Sequence, residues 1–240
     1  MKLLLPVTCL ILLFSSCSTY QYMTISSPEA KENDQQELII ENDSFLVLYN
    51  FNGPNAPVNL LIQNKLDKPI YIDWKRSGLI VNERATSFMT NVVPIEGSIS
   101  TGTVNWSRRY SSTYGNFYAE ATLPGQLDFL PPKSYMTKSA LNVSSKFEYL
   151  ADSLYKKIKY KVISGDERKV EQASFTTDNS PLHFKSYLTI LTGDPGAKPL
   201  YFEHAFYVSA IIKTDMGPDN FLFMVNKEGN RFFVIGSPDY

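Results

Sequence analysis

The sequence predicts an all-β fold, an antiparallel β-sandwich, from three observations. Short apolar runs such as "SFLVLYNF", "PVNLLIQN" and "KSYLTIL" recur along the chain, and turns rich in Gly, Pro, Asn and Asp separate them. Aromatic residues make up 13% of the chain, with 15 Tyr and 15 Phe, and such side chains suit a pleated, half-buried surface. Long helical patterns do not alternate with these runs, which argues against a parallel α/β sheet.

The first residues predict a cleaved export signal. Lys2 is followed by an apolar run at residues 3–14, which is too short to cross a bilayer but fits the centre of a signal peptide. Two serines then precede Cys17, an order that resembles the lipobox of bacterial lipoproteins. The resemblance implies that residues 1–16 are removed and that Cys17 is acylated, and several acyl chains on one residue give a stable membrane anchor. An ordinary signal peptide that releases a soluble protein is the alternative.

The composition of the mature chain limits its partners. Cys9 would leave with the signal and Cys17 would carry lipid, so the fold would depend on its core and not on disulfides. Removing residues 1–16 takes away only Lys2 among the charged residues and leaves 22 cations against 24 anions. A nearly neutral chain argues against a nucleic-acid partner, which usually needs a basic face.

Polarity divides the rest of the chain into a tether and a folded part. Residues 17–37 are mostly polar and have no sustained apolar period, so we expect a flexible, lipidated N-terminal tether. Residues 38–240 are then expected to form one elaborated β-sandwich domain. The alternative is a sandwich at 38–143 followed by a second β-rich domain at 144–240.

One segment, "SSKFEYLADSLYKKI", predicts the single short helix of the fold, at residues 146–156. Its apolar residues from Phe147 to Ile158 recur with helical spacing, and Ser145 with Glu148 has the spacing of a capping box. The lysines of the following "KKIKYKV" alternate with apolar residues. Lysines along one face of a strand are typical of an exposed sheet edge.

The stretch "NKLDKPIYIDWKRSGLIVNE" at residues 64–83 predicts architecture and not a binding site. Pro69 stands where a strand begins, the position at which its missing N–H does least harm. Strand alternation places Ile70, Ile72 and Trp74 on one face. Trp74 is therefore expected to be a core anchor between the sheets.

The candidate binding residues lie within residues 91–116, a segment rich in Ser, Thr and Gly that we expect to be a long irregular loop. Trp106, Arg108, Arg109 and Tyr110 cluster there. Trp and Tyr can stack on sugars or anchor a protein partner, and Arg can bind a carboxylate or phosphate with two parallel hydrogen bonds. The cluster is the predicted patch for a ligand or partner. The alternative is a mobile loop with one aromatic residue packed on the sandwich.

No motif in the sequence indicates catalysis or metal binding. His183 and His204 are the only histidines, and no metal-ligand spacing, G-x-S-x-G elbow or phosphate-binding loop occurs. We therefore predict no catalytic residue, no metal site and no cofactor, and a chain that is not an enzyme.

Two stretches resemble elements of a known family. "NKLDKPIYIDWKRSGLIVNE" and "LDFLPPKSYMTKS" at 127–139 are similar to strands and turns of Ig-like domains in bacterial lipoproteins. Together with the lipobox they resemble a Bacteroidota family of Ig-like envelope lipoproteins, which implies an Ig-like sandwich held by Cys17 on the outer membrane. In that group, acidic residues after the cysteine tend to accompany surface export. Residues 18–22 contain none, which favours the periplasmic face over the cell surface.

These observations give three functional hypotheses. The first is a non-enzymatic binding module for another envelope protein or a glycan, with membrane lipid as its other partner. The second is a structural or adhesive subunit, such as a pilus component that polymerises by strand addition. The third is a hydrolase of envelope substrates, and no motif nominates its residues.

Overall fold

A computed structural model describes residues 18–89, 92–104, 110–122 and 127–236 of the chain, so Cys17 lies outside the described residues. The strands within these ranges are β1 Thr19–Ser26, β2 Lys31–Glu32, β3 Leu38–Glu41, β4 Phe45–Asn50, β5 Gly53–Pro54, β6 Pro57–Asn64, β7 Ile70–Ile72, β8 Gly78–Val81, β9 Arg84–Ser87, β10 Val92–Val104, β11 Tyr110–Thr122, β12 Asp128–Leu130, β13 Tyr135–Asn142, β14 Lys156–Lys161, β15 Glu167–Ser174, β16 His183–Thr192, β17 Leu200–Thr214 and β18 Arg231–Gly236. The helical elements are the α-helix α1 Leu222–Val225 and three 3-10 turns, Trp74–Arg76, Asp152–Leu154 and Pro218–Asn220.

The strands form two sheets and a separate hairpin. The large sheet has the order β12–β7–β16–β17–β1–β18–β5, with β8 and β9 extending from β16 and with β15 and β14 extending from β17. The small sheet has the order β13–β6–β4–β3–β2. Strands β10 and β11 form the hairpin. Every described pairing is antiparallel except that of β5 with β18.

The two sheets pack face to face around an apolar core. Tyr49 of the small sheet packs against Phe206 of the large sheet, with ring centroids 4.9 Å apart, and Phe45 packs against Phe202 at 4.5 Å. One buried cluster takes residues from Met23 to Val234, so the chain on both sides of residue 144 contributes to it. The prediction of a mostly β chain with two packed sheets is confirmed.

Residues 19–26 form a central strand and not part of a tether. Strand β1 is paired with β17 on one side and β18 on the other, and Tyr22, Met23 and Ile25 are buried. The polar Gln21 is also buried, because its side chain bonds both the N–H and the C=O of Glu148 at 2.7 Å. The prediction of a flexible tether over residues 17–37 is wrong for Thr19–Ser26, because this segment is a paired strand whose buried Gln21 is hydrogen-bonded inside the fold.

The predicted helix at residues 146–156 is also wrong. The segment is irregular apart from the 3-10 turn Asp152–Leu154. Gln21 takes the N–H and C=O of Glu148 that a helix would bond internally, and Phe147 and Leu150 pack against the main core from an extended chain. The α-helix α1 lies elsewhere, before β18. The expected lysine-rich edge is confirmed, because β14 pairs only with β15 in the described part of the chain.

Candidate functional site

The segment expected to be a long loop lies mostly in a long β-hairpin. Strands β10 and β11 have 13 residues each and pair in continuous register from Val92 opposite Thr122 to Val104 opposite Tyr110. At about 3.4 Å per residue, such a ladder is roughly 40 Å long. The loop was predicted from the high content of Ser and Gly in the segment. The Val, Ile, Thr, Tyr and Phe residues that alternate with them favour a strand instead.

The predicted binding patch belongs to the turn end of this hairpin. Tyr110 is the first residue of β11 and pairs with Val104 at the last rung. Trp106, Arg108 and Arg109 belong to the connection between the two strands and lie outside the described residues. The register therefore puts Tyr110 at the end of the hairpin opposite its base.

The hairpin stands apart from both sheets. Within the described ranges, β10 and β11 pair with each other and with no third strand. Each strand therefore has a free backbone edge, and such an edge is a template for pairing with another chain. An isolated two-stranded hairpin is at best marginally stable in water.

Trp74 contacts a described residue on each side of the hairpin in the chain. Its indole N–H donates to Oδ2 of Asp128 at 2.6 Å, and its ring meets that of Phe88 edge-on, with centroids 6.2 Å apart. Phe88 precedes β10 in the chain and Asp128 follows β11. Nζ of Lys138 lies 5.3 Å from the centroid of the same indole. Trp74 is 4% exposed, which confirms that it is a core anchor.

Local hydrogen bonds explain the position of Trp74. The chain leaves β7 and enters a 3-10 turn that Asp73 caps, because its Oδ1 accepts from the N–H of Arg76 at 3.0 Å. The hydroxyl of Ser87 donates to the Trp74 carbonyl at 2.9 Å, and the N–H of Phe88 donates to the Ser77 carbonyl at 2.9 Å. The end of β9 is thereby tied to the turn, directly before the hairpin begins.

Asp128, which follows the hairpin in the chain, and the start of β1 lie at opposite ends of β17. A continuous row of paired residues runs from Asp128 through β7 and β16 to Leu200. Tyr20 of β1 pairs with Thr214 at the other end of β17. The 15 residues of β17 from Leu200 to Thr214 are separated by 14 steps, which correspond to roughly 45 Å of extended strand.

The structure also joins three polar side chains that the sequence did not connect. Oη of Tyr49 lies 2.9 Å from Oγ of Ser186 and 2.7 Å from Nδ1 of His204. Ser186 and His204 are paired across β16 and β17, and Tyr49 reaches them from the small sheet. Tyr49 is 137 residues from Ser186 and 155 from His204, so no local spacing could have predicted the contact.

Burial determines the protonation of this cluster. It lowers the pKa of His204 to about 4 and raises the pKa of the Tyr49 phenol above its ordinary value. The phenol has one proton, so when it donates to Ser186 the neutral imidazole donates its Nδ1–H to the phenol oxygen. All three residues are buried, which keeps substrates from the serine oxygen. The cluster is a hydrogen-bond network that links the two sheets.

Searches for other kinds of site and for relatives gave negative results. In the ranges that the structure describes, no group of three or more His, Cys, Asp or Glu residues is placed to hold a metal ion. No helix in those ranges is long and apolar enough to cross a membrane. Comparisons of the chain with family profiles, with curated proteins and with solved structures found no match.

Proposed function

We propose that this chain is a non-enzymatic lipoprotein of the outer membrane that binds an envelope protein through its β10–β11 hairpin. The observation that carries the proposal is the hairpin itself: it pairs with no other described strand, and Trp74 contacts residues that precede and follow it in the chain. A long hairpin whose strands pair with no third described strand is suited to present a recognition surface. The lipobox-like residues before Cys17 support the membrane anchor. The length of β17 separates the start of β1, which follows Cys17, from the end of the sheet where the chain leaves the hairpin.

Two features favour a protein over a glycan as the partner. The free backbone edges of β10 and β11 allow strand addition, a common mode of peptide recognition. Tyr110, Tyr114 and Tyr118 recur at even spacing in the sequence of β11. Tyrosine is enriched at energetically important positions of protein interfaces.

Changing Trp106→Ala together with Arg109→Ala is expected to weaken partner binding by at least 10-fold, since such anchors each contribute about 1–2 kcal/mol or more. The free energy of unfolding is expected to stay within about 0.5 kcal/mol of wild type, the range of surface changes. The measurement is crosslinking in intact cells followed by affinity purification of the tagged lipoprotein, with quantification of the stoichiometric partner.

The matched control removes an aromatic and a cationic side chain elsewhere. Tyr135→Ala with Lys31→Ala changes two exposed residues of the small sheet and is expected to leave the partner bound. Equal recovery of the partner with both double variants would refute the role of the hairpin tip. Recovery of no protein, with retention of the wild-type chain on isolated envelope glycans, would favour the glycan alternative.

The anchor has its own test. Changing Cys17→Ala removes the thiol that acylation needs, so the protein is expected to move from the membrane pellet to the soluble fraction when cells are fractionated at about 1 M salt, which screens electrostatic membrane binding. A protein that stayed with the outer membrane without this thiol would contradict the lipoprotein proposal. The non-acidic residues 18–22 support the periplasmic face as the location of the anchored chain.

The Ig-like type of sandwich stays part of the proposal. Two observations support it. Residues 64–83 and 127–139 resemble strands and turns of Ig-like domains, and the chain crosses from one sheet to the other in both segments. Strands β6 and β7 follow each other but lie in different sheets, and so do β12 and β13. Such crossings between sheets are common in Greek-key sandwiches.

The placement of β1 favours a pilus-type subunit as the second candidate. In polymerisation by strand addition, a strand from a neighbouring subunit fills a position in the sheet. β1 is the N-terminal strand and lies between β17 and β18, so its proteolytic loss would open such a position. Concentration-dependent polymers after removal of β1 would distinguish this candidate from a monomeric binding module.

A further inference from the structure

The surface beside the start of β1 is a lysine-rich groove. Thr19 lines it together with Lys157 of β14, Lys169 of β15 and Lys213 of β17, and its volume is about 380 Å³. We call the surface formed by these three lysines and the adjacent Lys159 the basic face.

The basic face carries an excess of positive charge that nearby acids do not neutralise. Lys157, Lys159, Lys161 and Lys169 share one face of β14 and β15 with two acidic residues, Glu167 and Glu171, in a chain with a net charge of −1. Lys159 forms an ion pair with Glu167 at 3.0 Å. In the described part of the chain, no carboxylate lies within ion-pair distance of Lys157, Lys169 or Lys213. Glu171 and Asp215 line the groove and lower its net charge without removing it.

The strand register holds like charges together at a cost. Lys159 and Lys169 are direct partners across β14 and β15, and like charges directly opposite each other destabilise a sheet. In the neighbouring row, Glu171 lies between Lys157 and Lys213. An anionic surface over this face would relieve the repulsion between the two lysines.

The N-terminus indicates which anionic surface is within reach. Thr19 is already paired with Gly236, so only Ser18 separates Cys17 from the sheet. Two residues of extended chain reach at most about 7 Å. A lipid on Cys17 would therefore hold Thr19, and with it the groove, against the head groups of the same membrane. Because no flexible tether separates Cys17 from β1, the end of the domain that contains Thr19 would stay close to the bilayer.

We propose that the basic face docks on the anionic phospholipid head groups of the membrane that holds the Cys17 anchor. This inference rests on the lipoprotein function proposed above and adds the orientation of the domain. The lysine ammonium groups act as point charges toward lipid phosphates. Docking at the Thr214 end of β17 leaves the base of the hairpin at the Leu200 end, away from the membrane.

The test uses the unacylated mature chain with Cys17→Ala, so that only the basic face can bind. Co-sedimentation is measured with vesicles of phosphatidylcholine alone and of phosphatidylcholine mixed with phosphatidylglycerol. We expect binding to the mixed vesicles only. Raising the salt from about 0.1 M to about 1 M, which shortens the Debye length from about 10 Å to about 3 Å, is expected to abolish it.

The triple variant Lys157→Gln, Lys169→Gln, Lys213→Gln is expected to bind the mixed vesicles on the order of 100-fold more weakly. The control variant Lys31→Gln, Lys198→Gln, Lys227→Gln removes the same charge from exposed lysines elsewhere and is expected to bind like wild type. Equal Tm values for the two variants would establish that both are folded.

Several results would overturn the proposal. One is an absence of binding to the mixed vesicles by the wild-type chain, and another is equal weakening by both triple variants. Displacement from the vesicles by inorganic phosphate at matched ionic strength would replace membrane docking with a soluble phosphate site. Because the vesicle assay uses no acyl chain, its failure is separate from that of the anchor, which the fractionation of Cys17→Ala tests.

Discussion

Replacing Trp74 by alanine is expected to lower the free energy of unfolding by about 3–5 kcal/mol, as for other large buried aromatic residues. The change removes the packing against Phe88 and leaves a cavity beside β7. It also removes the hydrogen bond to Asp128. Urea unfolding of the mature chain at neutral pH measures the effect. A loss below roughly 1 kcal/mol would place Trp74 among surface residues and reopen its reading as a ligand site.

The same variant is expected to impair partner binding, because the indole joins the residues that precede and follow the hairpin. Trp74→Phe is the matched control: it keeps an aromatic ring near Phe88 but has no N–H for Asp128. We expect it to cost about 1–3 kcal/mol, the value of one hydrogen bond to a charged group. Trp74→Ala could unfold so much of the chain that binding is no longer measurable. Trp74→Phe then still tests whether the hydrogen bond from Trp74 to Asp128 affects the affinity for the partner.

The role of Trp74 was predictable from sequence because it depends on local periodicity. Ile70 and Ile72 alternate in β7, Trp74 follows in the 3-10 turn, and all three are buried as expected. The alternation could not show that the indole would meet Asp128, which is 54 residues away. The burial of Trp74 could therefore be predicted from the local sequence pattern. Its contact with Asp128, which follows the hairpin in the chain, could not, because that contact depends on the tertiary fold.

Two errors of the sequence prediction, the tether and the helix, share one physical cause. Gln21 looked like a residue of a solvated tether, and the segment around Glu148 looked like a helix. Each prediction considered only its own neighbours, but the two segments satisfy each other's hydrogen bonds across 127 residues. Long-range side-chain-to-backbone bonds leave no signature in local spacing, so tertiary context overrides propensity here.

The presence of strand β1 in place of the predicted tether limits how the domain can be oriented relative to Cys17. A tethered domain could present any face to any partner. A domain whose central strand begins at Thr19 has one end fixed near Cys17 and the other end about one length of β17 away. Asp128, which follows the hairpin in the chain, and the basic face then lie at opposite ends of the large sheet, so the proposed partner binding and the proposed membrane docking would use different ends of this sheet.

Acidification is expected to destabilise the fold through His204. Its pKa is about 4 in the folded state against about 6.5 when unfolded, so between these values the unfolded chain binds one more proton. The stabilisation from this residue is fully present above about pH 6.5 and is lost as the pH falls toward 4. By pH 4.5 the loss is expected to be on the order of 2–3 kcal/mol.

His204→Asn separates this effect from the titration of carboxylates. An asparagine amide can occupy the position of Nδ1 and keep a hydrogen bond with Tyr49, but it does not titrate in this range. Urea unfolding at pH 7.5 and pH 4.5 is expected to give a smaller loss for this variant than for wild type, by roughly 2 kcal/mol. His183→Asn, a change at the exposed histidine, is expected to keep the wild-type loss. Identical pH dependence in all three proteins would mean that the imidazole of His204 takes up its proton without disturbing the contact between the two sheets.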